Sequence, residues 1–199
     1  RSRLRGSRVS CRCSAVGPGD VGNPLPGVPV SVAARRAAGA HAVGMSAAQT
    51  CAAMRASFTG FGETNFFTNA LVPQPFIAAQ VRSRPSPRKE KFFDRLAGMA
   101  VHALRECLQG KSIDPSRTAL LLGVREPFRK HAELDGKSAD LLRRIEEELQ
   151  LRLHPDSSVL PEGNAATFRG FLQARVLLAA GKVETCVVGG VDSYLNWDD

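Results

Sequence analysis

Two stretches of the chain, residues 91–108 and 138–153, place apolar residues at helical spacing. Their apolar positions recur every three or four residues, which is the pattern of a helix with one buried face. These positions are Phe92, Leu96, Met99 or Ala100, Ala103 and Cys107 in the first stretch, and Leu141, Leu142, Ile145 and Leu149 in the second. A shorter helix is predicted over 47–57, after Ser46, whose hydroxyl can cap its first turn.

Between the helical stretches the apolar residues occur in short continuous runs. Residues 117–124, "RTALLLGV", contain an unbroken apolar run that reaches a glycine. A strand has this pattern when helices cover both faces of a parallel sheet. Similar short runs predict strands over 35–44, 76–81, 157–160 and 184–190. Strands that alternate with helices favour an α/β fold with a mixed, mainly parallel sheet flanked by helices.

The segment Leu160–Gly170, "LPEGNAATFRG", has the layout of an elbow: the end of a strand, a glycine turn and the start of a helix. We call this segment the elbow. The helix predicted over 165–180 is apolar nearly all round, which indicates burial between two layers. Asn164 stands at its start, where its side chain is expected to act as the N-cap. Gly181 is placed to end the helix in a left-handed turn.

The net charge of +8 is concentrated at the start of the chain. Residues 1–40 contain seven arginines and one acid, Asp20, so they contribute +6 and the other 159 residues only +2. Aromatic residues are not interleaved with the basic ones, as stacking on bases would require. We therefore expect no nucleic-acid partner. We also expect no membrane partner, because no apolar run approaches the roughly 20 residues of a spanning helix.

The first 36 residues are rich in arginine, serine, glycine and proline and lack helical or strand periodicity. We expect a disordered basic tail or a non-native extension over 1–36 and one folded domain over 37–199. The expected location is the cytoplasm. An organelle transit peptide has a composition similar to that of this tail, so an organelle is the alternative location if the tail is such a peptide. No methionine precedes Met45, so the first residue is not expected to be a natural initiation site.

A second basic segment covers residues 82–95, where six basic residues accompany two acids. Such a segment is either a solvated loop or a docking patch for an acidic partner. The candidate binding residues in the second case are Arg82, Arg84 and Arg88.

The cysteines and histidines form no recognisable metal site. Five cysteines, an odd number, do not describe a disulfide framework. Cys51, Cys107 and Cys186 fall in helical or strand patterns, where we expect them to be small buried apolar residues. The four histidines are scattered along the chain. We therefore predict no metal site and no cofactor.

Residues 163–195, "GNAATFRGFLQARVLLAAGKVETCVVGGVDSYL", resemble the N-terminal half of a beta-ketoacyl-acyl-carrier-protein synthase, within the thiolase-fold superfamily. The shared features are a small-residue elbow, an alanine-rich helix, and a strand that ends in Gly189-Gly190 and is followed by Asp192. Weaker similarity continues upstream through "RTALLLGV", "LAGMAVHALREC" and "GAHAVGMSAAQTCAAMRAS", so that it spans about residues 37–196. The resemblance implies an α/β, thiolase-like fold of which this chain holds the N-terminal half.

The resemblance also implies an acyltransferase domain of fatty acid or polyketide biosynthesis. In the family, a cysteine at the start of the buried helix takes an acyl group from a carrier thioester, because the helix N-terminus stabilises its thiolate. The register counted back from Gly189 places that position on Asn164. An amide cannot form a thioester, so the domain is expected not to condense acyl groups. The same register implies that the Asn164 side chain lies inside, with the sheet behind it.

Family members with an amide at this position act as decarboxylases or as non-condensing partner subunits. The alternative function is therefore a non-catalytic partner that binds an active synthase or an acyl carrier protein. A remnant of a longer gene is a further alternative, because the second half is missing. The resemblance implies a homodimer, or a heterodimer with a synthase-type subunit, paired along the strand at 157–160. An acidic acyl carrier protein would suit Arg82, Arg84 and Arg88.

Overall fold

The computed structural model describes residues 10–18, 32–67, 71–81, 92–110, 112–127 and 136–193. The elements in chain order are β1 (Ser10–Pro18), β2 (Val32–His41), α1 (Ala47–Arg55), β3 (Phe61–Phe67), β4 (Pro75–Ala79), α2 (Phe92–Leu108), β5 (Thr118–Gly123), α3 (Ser138–Leu149), β6 (Ser158–Leu160), α4 (Ala166–Ala179) and β7 (Thr185–Asp192). Single 3-10 turns, Pro115–Arg117 and Gly163–Ala165, precede β5 and α4.

The main sheet has five strands in the order β2-β1-β7-β5-β6. Strand β5 pairs in parallel with β6 and with β7. Strand β1 pairs antiparallel with β2 and with β7. Strands β3 and β4 form a separate antiparallel pair. The fold is therefore mixed α/β with parallel strands in one sheet flanked by helices, and the expected parallel character is confined to β6, β5 and β7.

Helices cover both faces of the parallel part of the sheet. Successive strand residues point to opposite faces. Leu120 and Leu122 accordingly belong to the core with α2 and α3, whereas Ala119 and Leu121 belong to the core with α4. All six residues of β5 are buried. This confirms that "RTALLLGV" contains a strand covered on both sides.

The predicted helices α1, α2 and α3 are confirmed. The Ser46 hydroxyl caps α1, where it accepts a hydrogen bond from the Gln49 amide at 3.2 Å. The Glu106 carboxylate of α2 joins two other elements, because it accepts hydrogen bonds from the Gly39 amide at 3.0 Å and the Ala47 amide at 2.9 Å. Helix α2 is thereby fixed to β2 and to the N-terminus of α1.

The expectation of no regular structure before residue 37 is wrong for Ser10–Pro18, which form β1 between β2 and β7. The expected boundary between residues 36 and 37 also falls inside β2. The sequence pattern missed β1 because its pairing with β7 joins segments that are distant in sequence, and nothing local marks that pairing.

The described residues cover only one side of helix α4, the side that faces the sheet. Its sheet side is buried at Ala166, Gly170, Ala174 and Leu177. On its outer side Phe168, Leu172 and Val176 are 75%, 62% and 66% exposed. The expectation of a helix buried between two layers is therefore wrong for this part of the chain. Gly181 follows the helix with φ +64°, as predicted.

Two of the three cysteines expected in the core lie there. Cys107 and Cys186 are buried, but Cys51 is exposed on α1, contrary to expectation. The short α1 has few buried positions, and Thr50 is its one buried residue.

As for spanning segments, none of the described helices is both long enough and apolar enough to traverse a bilayer.

Candidate functional site

The elbow is attached to the end of β5 by backbone hydrogen bonds. The Val124 amide donates to the Leu160 carbonyl at 2.9 Å, and the Gly163 amide donates to the Val124 carbonyl at 3.0 Å. Gly163 has φ +57°, a left-handed conformation that costs glycine little and other residues more. The turn therefore directs the chain from β6 into α4 at a fixed place beside β5.

Glycines let the first half of α4 approach the sheet closely. A Cβ at Gly123 would lie 2.7 Å from the Ala166 Cβ, and a Cβ at Gly170 would lie 2.8 Å from the Val188 Cγ1. A Cβ at Gly190 would lie 3.3 Å from the Thr167 hydroxyl oxygen. The N-terminus of α4 thus lies directly over the carboxyl ends of β5 and β7.

An open cavity of about 380 Å³ lies at this place. Its lining combines glycines and side chains at the ends of β5 and β7 with residues of the elbow and α4. The side chains that line it are those of Val124, Asn164, Thr167, Phe171, Val188, Val191 and Asp192. In α/β sheets the carboxyl ends of parallel strands are the usual place for ligand sites. The polar side-chain groups of this cavity are the Asn164 amide, the Thr167 hydroxyl and the Asp192 carboxylate.

Asn164 lies at the rim of this cavity, but its environment differs from two expectations. The side chain is exposed instead of lying inside, although the sheet does lie behind it. It is also not the N-cap of α4, because Asn164 lies within the 3-10 turn and Ala165 occupies the cap position without a side-chain hydrogen bond. The structure therefore contradicts both the expected burial of Asn164 and its expected capping role, and the register that places it at the family's catalytic position stays a prediction.

Three carboxylates stand around the elbow. A Cβ at Gly163 would lie 2.5 Å from Glu126 Oε2, so this carboxylate lies directly against the turn. Glu162 pairs with Arg169 of α4, with 3.8 Å between Oε1 and Nε. The Asp192 carboxylate accepts a hydrogen bond from the Ser193 amide at 2.7 Å. The sequence reasoning missed Glu126, although its place three residues after a buried parallel strand could have indicated it.

Cys186 offers no substitute nucleophile. Its thiol is buried in β7 on the side that faces α4, with the sulfur 4.0 Å from the Ala174 carbonyl oxygen. Burial raises the pKa of this thiol from its ordinary 9.0 to about 11. A thiol with so high a pKa is almost entirely protonated at neutral pH, and the protonated form is a poor nucleophile.

The remaining candidates are a basic patch and a pairing strand. Arg82, Arg84 and Arg88 lie outside the described residues, so the carrier-protein patch stays a prediction. Strand β6, at Ser158–Leu160, lies at one edge of the five-stranded sheet. One side of β6 pairs with β5, and no described strand pairs with its other side.

The comparisons with known proteins assign no family to this arrangement. The chain matches no protein-family profile, no curated protein and no solved structure.

Proposed function

We propose that this chain is a beta-ketoacyl-acyl-carrier-protein synthase-like domain, with a thiolase-like fold, that binds acyl groups without condensing them. One observation carries the proposal. The elbow presents the Asn164 amide at the N-terminus of α4, beside an open cavity at the carboxyl ends of two parallel strands. The small-residue elbow, the alanine-rich helix and the strand that ends in Gly189-Gly190 are the features on which the family resemblance rests.

The chemistry of the cavity favours binding over acyl transfer. The Ala165 and Ala166 amides already donate to the Glu162 and Gly163 carbonyls. The side-chain groups in the cavity that can donate to the carbonyl oxygen of a thioester are therefore the Asn164 amide and the Thr167 hydroxyl. The Asn164 side chain can donate and accept hydrogen bonds but cannot form a thioester. Phe171 and Val188 provide apolar surface in the same cavity, where an acyl chain could pack. This combination suits a domain that holds an acyl group, or one that decarboxylates an acyl group carrying a free carboxylate.

Mass spectrometry and NMR together test this function. After incubation with an acyl-carrier thioester, we expect no acyl adduct on residues 160–170. A non-hydrolysable acyl-pantetheine analogue is expected to shift the amide signals of Asn164, Thr167 and Phe171. An adduct within the elbow would contradict the loss of acyl transfer. Signal shifts confined to other parts of the chain would contradict the assignment of the site.

The variant Asn164→Cys tests whether the elbow still has the geometry for acylation. We expect this variant to accept an acyl group from the thioester when the second half of a synthase fold is supplied. Peptide mapping must assign the adduct, because the exposed Cys51 is a competing thiol. Failure of this variant in the complete fold would show that the cavity no longer accommodates the thioester.

A partner subunit is the second candidate function, and the outer side of α4 favours it. Phe168, Leu172 and Val176 lie at every fourth position and are all more than half exposed. Exposed apolar rows of this kind mark protein interfaces. If the domain pairs with an active synthase, Leu172→Asp should weaken that complex in sedimentation experiments. Arg152→Glu, at an exposed site after α3, is the matched control and should leave the complex intact.

A further inference from the structure

The hairpin of β3 and β4 has one face toward the core and one face toward solvent. Residues that pair directly across two antiparallel strands lie on the same face of the sheet. Gly62 pairs with Ala78, and Ala78 is buried in the core cluster that includes α2. The opposite face therefore points outward. It contains the pairs Phe61–Ala79, Glu63–Ile77 and Phe67–Pro75.

The outward face is apolar, whereas the solvated face of an antiparallel sheet is ordinarily polar. Phe61, Ile77 and Phe67 are 45%, 66% and 56% exposed. Glu63 is the one charged residue among the paired residues of this face, and the small Ala79 is the one that is buried. We call Phe61, Ile77 and Phe67 the hairpin stripe.

Further exposed apolar residues flank the hairpin stripe at both ends. They are Met54 and Phe58, which precede β3, and Leu71 and Val72, which lie between the two strands. Together with the stripe, these side chains expose roughly 800–900 Å². The largest apolar patch of a typical monomer is about 300–600 Å², and a stable interface buries about 800 Å² on each partner. The surface is therefore large enough for a stable interface with another folded domain.

The order of residues in the hairpin stripe suits a second copy of this chain. Ile77 lies midway between Phe61 and Phe67, because the partners of these two residues in β4 are each two positions from Ile77. A two-fold interface joins a surface to its own copy, so the surface must be complementary to itself. A two-fold axis at Ile77, perpendicular to the strands, brings Phe61 onto the partner's Phe67 and Ile77 onto the partner's Ile77. An unrelated partner would not require this symmetry.

We propose that the outward face of the hairpin is a homodimer interface, in which two hairpins pack face to face around a two-fold axis at Ile77. Packed sheets lie about 10 Å apart, and the stripes of the two copies fill the space between them. The same symmetry places the two Glu63 carboxylates opposite each other, where they repel. The interface uses other elements than α4 and β6, so it is independent of the proposed function.

Sedimentation equilibrium of the full 199-residue chain measures the dimer dissociation constant. Ile77→Asp should raise this constant at least about tenfold, because the interface would bury two carboxylates without partners. Val176→Asp is the matched control, since Val176 lies on α4 and is also 66% exposed. We expect the control to leave the constant unchanged. Both side chains face solvent in the monomer, so both variants should keep the circular dichroism spectrum of the parent.

Glu63→Gln tests the orientation of the two copies. Without repulsion between the two carboxylates, the dissociation constant at low salt should be several-fold lower than that of the parent. Added salt should bring the two constants together, because it screens the repulsion. An unchanged or higher constant in Glu63→Gln at low salt would overturn the two-fold arrangement.

Chemical cross-linking tests the position of the axis. In a Cys51→Ser background, which removes the exposed thiol of α1, Ile77→Cys should be cross-linked between copies by a bis-maleimide that spans about 10 Å, the distance between packed sheets. Val176→Cys is the control and should give no such product. Peptide mapping must show that residue 77 of one copy is joined to residue 77 of the other.

Three results would overturn the inference: a chain that stays monomeric at every concentration measured, a dimer unaffected by Ile77→Asp, or a dimer that dissociates in Val176→Asp instead. A monomer would assign the outward face to a different occupant, such as another protein. Cross-linking requires no aspartate at position 77, so it decides even if Ile77→Asp does not fold. If the acyl analogue fails to bind, the proposed function fails and the dimer measurements still stand.

Discussion

Gly170 of α4 lies so close to Val188 of β7 that a Cβ at residue 170 would stand 2.8 Å from the Val188 Cγ1. The Leu160 Cδ1 lies 3.5 Å from the same point. This contact fixes how near the helix can come to the sheet, and with it the position of the elbow. The cavity lined by Asn164 and Thr167 thus depends on a glycine about one turn into the helix.

We predict that Gly170→Ala destabilises the protein by about 1–3 kcal/mol, because the added methyl group overpacks the contact between α4 and β7. Gly98→Ala in α2 is the matched control, since a Cβ there meets nothing within 4 Å. The control should be stabilising by up to about 1 kcal/mol through helix propensity. Urea denaturation gives both free energies, and effects of the same sign would contradict the close packing.

We predict that Asn164→Ala changes the free energy of unfolding by less than about 0.5 kcal/mol, because the side chain is exposed and caps no helix. Ser46→Ala is the comparison, since the Ser46 hydroxyl does cap α1. It should cost about 1 kcal/mol. A cost of about 1 kcal/mol at Asn164 as well would restore the capping role that the sequence suggested.

We predict that Glu106→Ala destabilises the protein by about 2 kcal/mol, because two backbone amides lose a charged acceptor. Glu147→Ala is the control, since its carboxylate makes an exposed pair with Arg143 at 3.3 Å. Exposed helix pairs contribute only about 0.3–0.5 kcal/mol. Thermal or urea unfolding distinguishes the two, and equal small effects would show that Glu106 does not hold α2 to β2 and α1.

We predict that Cys186 makes stability fall as the pH rises from about 9 to about 11. In the unfolded chain the thiol ionises near its ordinary pKa of 9.0, whereas burial holds the folded pKa at about 11. The unfolded state therefore loses this proton first, and the contribution to stability, complete below pH 9, is lost as the pH rises. Free energies of unfolding of the parent and of Cys186→Ala, compared over this range, should converge. Parallel curves would exclude the buried thiol as the cause.

We predict that reversing the charge of Arg82, Arg84 and Arg88 to glutamate weakens binding to an acidic acyl carrier protein. The parent affinity should fall as salt is added, because opposite charges attract less strongly when screened. Titration calorimetry at two salt concentrations measures both effects. The control reverses Arg143 and Arg144, two exposed arginines of α3 that pair with acids of the same helix. Unchanged affinity in the triple variant would make 82–95 a plain solvated loop.

Sequence patterns were most informative where the signal is local. The apolar run of β5 and the stripe of α3 predicted both element type and burial, because periodicity records which faces meet the core. They were uninformative for β1, whose pairing depends on β2 and β7. For α4, the apolar composition correctly predicted a helix but not its exposed outer side. The apolar composition of a helix shows that its faces could be buried, but it does not show whether another part of the protein packs against each face.

The sequence by itself determined the parallel strands at β5 and β7, the helices between them, the left-handed glycine after α4 and the lack of sulfur at position 164. Each follows from residue type or local spacing, which act on the chain directly. Only the tertiary structure decided that β1 completes the sheet, that Asn164 is exposed and that Glu126 lies against Gly163. These depend on contacts between distant segments. Hydrophobic burial drives such contacts without direction, so local pattern cannot specify them.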